Sequence, residues 1–393
     1  MAFLSSFPLP EQTLFLRKPS FPINEVKHSK MHGKFAPICG NKVDNVDLVQ
    51  MPPRSTRRNF FVESCFAASL AVGAFAFQRT DEDDRARLFK YRAFSDMNGI
   101  IYDTRRTSYL PPSPTNLNTF SDEEETGVVC IGEIHNNKLH HLAQLDIIKA
   151  LRSLDDIRPM AIGMEMVMRK DQQHLDAFIR REIGLWKLFK RLDWDASWGF
   201  DYQLYAPILR FARMNNIPLV GLNAPQTLVH QVARRGLSGL SADERAELPE
   251  MDLNNKLHMT QFFKTMMGPG GAHNHLDMDS FLKYYQAKTL WDEYMSESVA
   301  RYIETSASFK EGGRFVVLAG NGHIEGRTSI PDRIQRRTGT VPFVVVPQSV
   351  AFEDAWPVLQ GPLPDKTVAD WVWYVLQTTR AVPCHTHMHG LHI

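Results

Sequence analysis

Cysteine is scarce in this chain of 393 residues. The four cysteines stand far apart in the sequence, at Cys39, Cys65, Cys130 and Cys384. No Cys-x-x-Cys pair and no dense cysteine framework occurs, which excludes a disulfide scaffold and a zinc site built from cysteines. The compartment of the protein therefore has to be inferred from other features.

Net charge is almost missing as well. The chain carries 45 Lys and Arg against 44 Asp and Glu, a formal charge of +1. Without a strong overall field there is no general attraction for a polyanion, so we expect no nucleic-acid partner. Hydrophobic residues make up 43% of the chain. This fraction is enough to bury a full core, which excludes a disordered or fibrous protein.

Long hydrophobic runs are also missing. The uncharged stretch at residues 64–77 is too short to cross a bilayer comfortably. No internal repeat of solenoid length occurs, which argues against a repeat protein. We therefore expect a globular protein whose mature chain has no transmembrane span.

The uncharged stretch belongs to a two-part pattern at the N-terminus. Residues 1–56 mix Ser, Pro, Phe and basic residues without periodicity, as in an organelle transit peptide. Arg57-Arg58 opens a twin-arginine pattern, and Ala74-Phe75-Ala76 has the form of a cleavage site. The alternative is a buried helix, but the order of these parts favours an export signal. Residues 1–76 therefore predict a bipartite targeting segment, which resembles the two-stage route into the chloroplast and on to the thylakoid lumen.

In the rest of the chain, predicted strands alternate with predicted helices, as in an α/β protein. Residues 77–99 are charged and predict a lead-in, and residues 100–350 predict the main domain. Short apolar runs predict strands at 128–132, 160–166, 218–222, 315–319 and 343–346. Apolar residues at three- and four-residue steps predict helices at 139–154, 172–181, 203–214, 225–235 and 280–304. This alternation predicts a mostly parallel sheet with helices on both faces.

Two segments depart from this alternation. Residues 241–278 have a helical, Met-rich pattern and predict a helical insertion that forms a cap. Residues 351–393 predict a C-terminal helix at 368–376 and a His-rich tail. The aromatic side chains of this helix favour docking on the domain, with contact to a membrane surface as the alternative. The tail alternates metal-binding side chains from Cys384 to His392, but a short terminal tract is more often disordered than a dedicated site.

Polar residues stand at the ends of several predicted strands. In a parallel sheet the loops beyond the carboxyl ends of the strands converge and form the ligand site. Four strands bring the following side chains to this edge: Glu133, His135, Glu165, Asn223, Asn321 and His323. Both histidines close Gly-x-x-His units, in which glycine permits a tight turn and imidazole supplies a metal ligand or a proton acceptor. Neighbouring carboxylates would complete a metal site or serve as general bases.

Each of these histidines also has a structural interpretation. A lone histidine more often caps a helix or satisfies a buried carbonyl, but the coincidence at several strand ends favours a real site. His140 and His141 fall on the first turns of the next helix, where His141 is expected to orient or pack, although a tetrapyrrole site would accommodate either. Asp292 shares a helix with Trp291 and Met295 and is expected to be solvated or to pair with a neighbouring helix.

Together these segments resemble a known family. They are Gly132-Glu133-Ile134-His135-Asn136-Asn137 with His140-His141, Gly163-Met164-Glu165-Met166, Trp198-Gly199 with Tyr205-Ala206-Pro207, Leu222-Asn223-Ala224-Pro225, Trp291-Asp292-Glu293 with Met295, and Gly320-Asn321-Gly322-His323. In this order, from about residue 101 to residue 333, they resemble the ChaN-type haem-binding proteins of the Tiki-like superfamily. Asn136 and Ser329 depart from the family, which often has Asp and Gly at these positions.

The resemblance implies an α/β domain that binds haem, also as a homodimer that sandwiches cofactors, and that acts in haem or iron handling. Tyrosine is the axial ligand type it implies, with Tyr202 and Tyr205 as candidates that could equally be core aromatics. The candidate cofactor-binding residues are His135, His140, His141, Glu165, Tyr202, Tyr205, Asn223, Asn321 and His323. Related Tiki-like branches are metal-dependent hydrolases that use two Gly-x-x-His units and a Glu. The alternative set for catalysis and for a divalent metal ion is therefore Glu133, His135, Glu165 and His323.

Overall fold

The structure, a computed structural model, describes residues 99–110, 127–154, 158–267, 276–310, 312–351 and 362–377. The predicted targeting segment, the lead-in up to residue 98 and the His-rich tail lie outside the described residues. All of the predicted site residues fall inside them.

An eight-stranded sheet forms the centre of the domain. Its strands are β1 (Ile100–Asp103), β2 (Ser108–Tyr109), β3 (Val128–Ile131), β4 (Met160–Met168), β5 (Leu219–Asn223), β6 (Arg314–Leu318), β7 (Phe343–Ala351) and β8 (Trp371–Gln377). They lie side by side in the order β2-β1-β8-β7-β3-β6-β4-β5. The ladders from β8 to β5 are parallel, and β1 pairs antiparallel with β8 and with β2. The predicted α/β architecture with a mostly parallel sheet is confirmed.

Twelve α-helices lie in the described part of the chain. They are α1 (Lys138–Leu154), α2 (Gln172–Ile179), α3 (Leu185–Arg191), α4 (Trp194–Ser197), α5 (Tyr202–Met214), α6 (Gln226–Arg235), α7 (Ala242–Ala246), α8 (Lys256–Met267), α9 (Met278–Thr305), α10 (Ala307–Lys310), α11 (Asn321–Ile324) and α12 (Ile330–Thr338). The strands and helices predicted from periodicity are present to within a few residues. Among the described helices, none is both long enough and apolar enough to cross a bilayer.

The sheet is covered on both faces, and β3 shows why its sequence is apolar throughout. Successive side chains of a strand point to opposite faces. Val129 and Ile131 join the hydrophobic cluster that includes side chains of α1 and α5. Val128 and Cys130 join a different cluster, which includes side chains of α9 and α12. A strand buried on both faces has no polar face, so its sequence is a continuous run of apolar residues.

The long helix α9 delivers polar residues to the carboxyl edge of the sheet. Asp277 caps its N-terminus, because its carboxylate accepts a hydrogen bond from the Ser280 backbone N–H at 2.9 Å. Twenty-eight residues follow without a break. Asp292 and Glu293 lie within this helix, and both are fully buried.

The prediction of a C-terminal helix at residues 368–376 is wrong. Trp371–Gln377 forms β8, which lies between β7 and β1. Aromatic and β-branched residues dominate this segment, and they favour strands. Trp371 and Val372 are adjacent and both fully buried, as expected for a strand that is covered on both faces. The sheet therefore extends beyond residue 350, and the predicted domain boundary at that position is wrong too.

The edge formed by β1 and β2 is not predicted by periodicity, because these strands are short. Long-range bonds hold β1 in place. The Trp371 indole N–H donates to Asp103 at 3.2 Å, and the Thr104 hydroxyl donates to the Ala369 carbonyl at 2.6 Å. The first described strand is thus joined to the last.

The predicted insertion at residues 241–278 contains α7 and α8. Helix α8 packs on α9 through aromatic rings, with the Phe262 and Phe281 ring centroids 5.7 Å apart. These side chains belong to a third hydrophobic cluster, which also includes residues of α6. The role of this insertion as a cap stays a prediction.

Candidate functional site

The predicted site residues lie at or near the carboxyl ends of neighbouring strands. Strand β3 leads into Glu133 and His135, β4 carries Glu165, and β6 leads to His323. Since β3, β6 and β4 are adjacent in the sheet, the structure brings these four side chains together. We call them the strand-end cluster.

Glu133 is buried and accepts hydrogen bonds on both carboxylate oxygens. Its Oε1 accepts from the Tyr205 hydroxyl at 2.8 Å and lies 2.9 Å from His135 Nδ1. Its Oε2 accepts from Gln144 Nε2 at 2.9 Å and lies 3.4 Å from His141 Nδ1. Groups from the β3–α1 loop, α1 and α5 therefore fix the position of this carboxylate.

This environment also fixes the charge of Glu133. Burial alone would raise the pKa of Glu133, but the charge of His141 and the hydrogen bonds from His135 and Tyr205 lower it to about 2. The pKa of Tyr205 shifts the other way. Burial and the charge of Glu133 raise it well above its usual value. At neutral pH, Glu133 is therefore an anion and Tyr205 a neutral hydroxyl that donates to it.

Both ring nitrogens of His141 face hydrogen-bond acceptors. Nε2 lies 3.0 Å from the His135 carbonyl oxygen, and Nδ1 lies 3.2 Å from Gln144 Oε1. The Gln144 amide has a fixed orientation, because its Nε2 donates to the Gly132 carbonyl and to Glu133. His141 thus bridges the His135 carbonyl and the Gln144 amide beside the Glu133 carboxylate, which gives it an orienting role.

His135 is the partly open member of the strand-end cluster. Its side chain keeps 27% of its surface exposed, and its ring contacts Trp198 and Phe200, with centroids 4.7 and 5.0 Å away. Burial opposes the charged form, but the hydrogen bond to Glu133 and the charges of Glu165 and Glu133 raise the pKa of His135. Nδ1 is held by Glu133, and in the described residues no hydrogen bond is made to Nε2. This nitrogen is therefore available to a ligand.

Glu165 lies between the two Gly-x-x-His units. Its Oε2 accepts a hydrogen bond from the Gly320 backbone N–H at 2.6 Å, and its Oε1 lies 3.4 Å from His323 Nε2. Gly320 also passes close to the other histidine. A Cβ atom at this position would lie 2.7 Å from His135 Cε1, closer than real Cβ contacts allow. Glycine is therefore required at residue 320 for the two units to meet.

His323 is oriented by side chains of α9. Asp292 Oδ1 lies 2.6 Å from His323 Nδ1, and Lys288 Nζ donates to both Asp292 oxygens at 2.8 and 2.7 Å. Burial would raise the pKa of Asp292, but the charge of Lys288 and the hydrogen bonds to Asp292 hold it well below its usual range. Burial lowers the pKa of Lys288, although Asp292 acts against this effect. Helix α9 thus supplies a second carboxylate–imidazole pair.

The expectation that Asp292 is solvated is wrong, whereas its alternative, pairing with a neighbouring helix, agrees with the contact to His258 of α8. Asp292 is fully buried and contacts His323 of the strand-end cluster. Lys288 and Asp292 are four residues apart on one face of α9, a spacing that predicts their pairing but neither their burial nor the contact with His323. His258 of α8 also lies 3.1 Å from Asp292, and no motif in the sequence connects these two residues.

His140 uses both ring nitrogens inside the protein. Nδ1 accepts a hydrogen bond from the Ile134 backbone N–H at 3.0 Å, and Nε2 lies 2.8 Å from the Ser349 hydroxyl. Burial lowers the pKa of His140 to about 4. This neutral histidine fixes the loop that carries the strand-end cluster.

The two candidate asparagines also bond to the protein. Asn223 Nδ2 donates to the Glu165 carbonyl at 2.8 Å, and its Oδ1 accepts from the Trp291 indole N–H at 2.7 Å. Asn321 Nδ2 donates to the Pro347 carbonyl at 3.0 Å. These contacts support the backbone around the site.

The two candidate tyrosines lie in different environments. Tyr205 is fully buried, and its hydroxyl donates to Glu133 and accepts from the Trp198 indole N–H at 3.1 Å. Tyr202, one turn earlier on α5, is 38% exposed, and its ring lies 4.7 Å from that of Phe189. Of the two, Tyr202 reaches the surface.

The residues of the alternative metal set meet at one edge of the sheet. Glu133 and Glu165 each direct oxygens at donors within the protein, namely the Tyr205 hydroxyl and the Gly320 N–H. Within the ranges that the structure describes, no three His, Cys, Asp or Glu side chains are arranged to hold a metal ion. A metal site at the strand-end cluster stays a prediction.

The chain matches a known protein family over most of the described domain. The family described as haem-binding uptake, Tiki superfamily, ChaN matches residues 120–334, more than half of the chain. The matched range contains the whole strand-end cluster and Asp292.

Two individual proteins are also similar to this chain. The chain is 23% identical over 259 residues to Protein RETICULATA-RELATED 5, chloroplastic, from Arabidopsis thaliana, a match that covers 61% of this chain and 32% of the relative. The chain thus spans about a third of the length of that relative. It also matches the solved structure described as cofacial haem binding to ChaN of Campylobacter jejuni, with a TM-score of 0.53 and 18% identity, covering 70% of this chain and 96% of that protein. At this identity the likeness shows the fold.

Proposed function

Because this chain belongs to the ChaN family of haem-binding uptake proteins in the Tiki superfamily, we propose that it binds haem and acts in haem or iron handling. The state of His135 supports this function most directly. Its Nδ1 is held by Glu133 at 2.9 Å, and its side chain is 27% exposed. Histidine is a common haem ligand, and a carboxylate on the second ring nitrogen orients the ring of a metal-bound histidine.

The surroundings of His135 fit a large, flat, mainly apolar ligand. The rings of Trp198 and Phe200 flank the imidazole, and the adjacent Ile134 is 38% exposed. Apolar walls with one placed polar group are typical of a cofactor site. Bound haem would supply the iron and its redox chemistry. The chain would supply His135 Nε2 as the ligand and the flanking rings as walls.

Titration of the purified protein with haem tests this proposal. We expect a Soret band that grows to saturation at a fixed ratio of haem to protein. His135→Ala removes the proposed iron ligand and should weaken haem binding by about tenfold or more, the size of effect that outer-shell partners alone produce. The control variant is His174→Ala, at a partly exposed histidine of α2 outside the strand-end cluster. It should bind haem as the wild type does.

Two results would change the proposal. If the wild type gives no saturable Soret band while a control haem protein responds normally, haem binding is excluded. If Tyr202→Phe removes the band and His135→Ala does not, haem binding stands and the ligand is the exposed tyrosine. We also propose a homodimer that sandwiches two cofactors. Size-exclusion chromatography of the haem-loaded protein tests for it, and a monomeric loaded protein contradicts it.

Metal-dependent hydrolysis is the second candidate function, and one observation favours it. Two imidazoles are each held through Nδ1 by a carboxylate, His135 by Glu133 and His323 by Asp292, as in acid–base catalysis. His323→Ala separates the two functions. Ester or amide hydrolysis by the wild type with a divalent cation, lost in this variant, would favour the enzyme. A haem carrier that ligates iron through His135 would keep its Soret band and show no turnover to lose.

We further propose that the protein is delivered to the chloroplast and, within it, to the thylakoid lumen. The matched relative from Arabidopsis thaliana is described as chloroplastic. The order of transit-like segment, Arg57-Arg58 and Ala74-Phe75-Ala76 supports the second step.

Replacement of both Arg57 and Arg58 by Lys should leave import into the chloroplast intact and block entry into the lumen. Fractionation of the organelle, with sequencing of the mature N-terminus, measures both steps. Delivery of the Lys-Lys variant to the lumen with an unchanged mature N-terminus would contradict the twin-arginine signal.

A further inference from the structure

A buried carboxylate on α9 controls the second imidazole of the site. Asp292 is fully buried and contacts Lys288, His258 and His323. We propose that Asp292 is a positioning residue that fixes His323 as its Nδ1–H tautomer, so that His323 acts in the site through Nε2. This inference deepens the proposed function, and it rests on that function only for the nature of the ligand.

The proton on His323 Nδ1 follows from the contacts of Asp292. The distance of 2.6 Å between Asp292 Oδ1 and His323 Nδ1 is that of a strong hydrogen bond and requires a proton between the two atoms. Lys288 donates to both oxygens of Asp292, at 2.8 and 2.7 Å, which is the pattern of an ionised carboxylate. Because an ionised carboxylate carries no proton, the proton in the short hydrogen bond belongs to His323. Lys288 Nζ also lies 3.1 Å from His323 Nδ1, but the two Asp292 oxygens and the Ser329 hydroxyl can accept its three protons, so this contact leaves the Nδ1 proton in place.

His258 contacts the second carboxylate oxygen of Asp292. His258 Nε2 lies 3.1 Å from Asp292 Oδ2. His258 Nδ1 accepts from Arg333 Nη2 at 3.2 Å. Arginine only donates, so His258 carries its proton on Nε2 and presents it to Asp292. Burial and the charges of Lys288 and Arg333 lower the pKa of His258 against the effect of Asp292, which agrees with this neutral form.

The donors on both sides of Asp292 thus fix the orientation of its carboxylate. This carboxylate in turn fixes the tautomer of His323. The site then contains two equivalent units, in which Glu133 holds His135 as Asp292 holds His323. Both rings direct Nε2 away from their carboxylate. His323 Nε2 faces Glu165 Oε1 at 3.4 Å, a loose contact that a ligand can replace. His323 therefore enters the chemistry of the site as an oriented acceptor at Nε2.

Long-range ¹H–¹⁵N spectra of the haem-free, full-length protein test this tautomer. Protonated and unprotonated ring nitrogens differ widely in ¹⁵N chemical shift, so deuterated protein labelled with [¹⁵N]histidine reports each ring. The chain contains 15 histidines, and His323 is assigned by the signal that disappears in His323→Gln. We expect His323 to be protonated on Nδ1. A wild-type His323 protonated on Nε2 overturns the proposal without any variant at Asp292.

Asp292→Asn then tests the cause. Lys288 and His258 both need an acceptor at residue 292, so the amide oxygen faces them and the amide nitrogen faces His323. The proton of His323 should move to Nε2. Asp279→Asn is the matched control, because Asp279 pairs with Lys283 at the same spacing on the exposed part of α9, and it should leave His323 unchanged.

A folded Asp292→Asn protein in which His323 keeps its Nδ1 proton overturns the positioning role. The spectra are recorded without haem, so they stay interpretable if haem binding fails. Equally, a different tautomer would leave the haem titration unaffected. The two proposals therefore fail separately.

Discussion

Glu293→Gln should lower the free energy of unfolding by about 3–5 kcal/mol, the loss observed when one partner of a buried ion pair is removed. Glu293 is fully buried on α9. Three arginines of α12 surround its carboxylate, with N–O distances of 3.3 Å for Arg333, 2.6 Å for Arg336 and 2.7 Å for Arg337. Neutralising Glu293 leaves these guanidinium groups close together without the charge that compensates them.

Burial decides which of these arginines contributes most to the loss. The Arg336 side chain is 31% exposed and can recover hydration when its partner is gone. The Arg333 side chain is 1% exposed and cannot. Glu293 Oε1 also accepts a hydrogen bond from the Asp252 backbone N–H at 3.0 Å, which joins the insertion to α9. The substitution therefore weakens α9, α12 and the insertion together.

Urea unfolding followed by circular dichroism measures this effect. Asp279→Asn, which removes an exposed carboxylate from the same helix, is the control and should leave the unfolding midpoint unchanged. Adding Arg333→Met to Glu293→Gln should restore part of the lost stability, because it removes the most buried uncompensated charge. A loss below about 1 kcal/mol in the single variant would mean that water reaches the arginines and that the cluster is not dry.

The free energy of unfolding should also fall at acidic pH, because Glu133 then loses its charge. The pKa of Glu133 lies near 2 in the folded protein, against 4.5 for an ordinary glutamate. Above pH 4.5 the carboxylate is ionised in both states, and its partners stabilise the folded state. As the pH falls from 4.5 towards 2, the unfolded chain binds a proton first, so this stabilisation is lost progressively. The difference corresponds to about 3 kcal/mol.

Glu133→Gln separates this contribution from that of other carboxylates. The variant should be less stable than the wild type at pH 7 by about 3 kcal/mol, and the gap should shrink between pH 4.5 and pH 2. Urea unfolding of the haem-free protein at several pH values measures the gap. Tyr205→Phe, which removes one donor to Glu133, should reduce the gap only in part. A gap that is constant with pH would assign the loss to packing rather than to charge.

The parallel part of the sheet is predictable from sequence because each of its strands is buried on both faces. Such strands appear as short apolar runs between amphipathic helices, as Val128–Ile131 does. The antiparallel edge is not predictable in this way. Asp103 and Trp371 contact each other across 268 positions, and no local pattern records this pairing. The aromatic residues of β8 also fit the period of a helix, which explains why a helix is predicted there.

The strand-end cluster is predictable because it depends on one rule, that parallel strands end at a common edge. The rule does not predict the contact of Asp292 with the cluster, because Asp292 lies on a helix, and α9 reaches the cluster only through tertiary packing. The spacing of Lys288 and Asp292 is no guide by itself. Asp279 and Lys283 have the same spacing on the same helix, and their pair is exposed. Sequence spacing identifies a shared helix face, whereas burial depends on what packs against that face.

The pairing of β1 with β8 sets the order in which the fold can be completed. During synthesis β8 is the last described strand to appear, so until then β1 lacks its partner and the outer edge of β7 stays open. An open edge of this kind can pair with another chain. Contacts between distant parts of a chain also form slowly, because a long loop must close first. A chain arrested before Trp371 would therefore expose the sheet to misassembly until β8 is added.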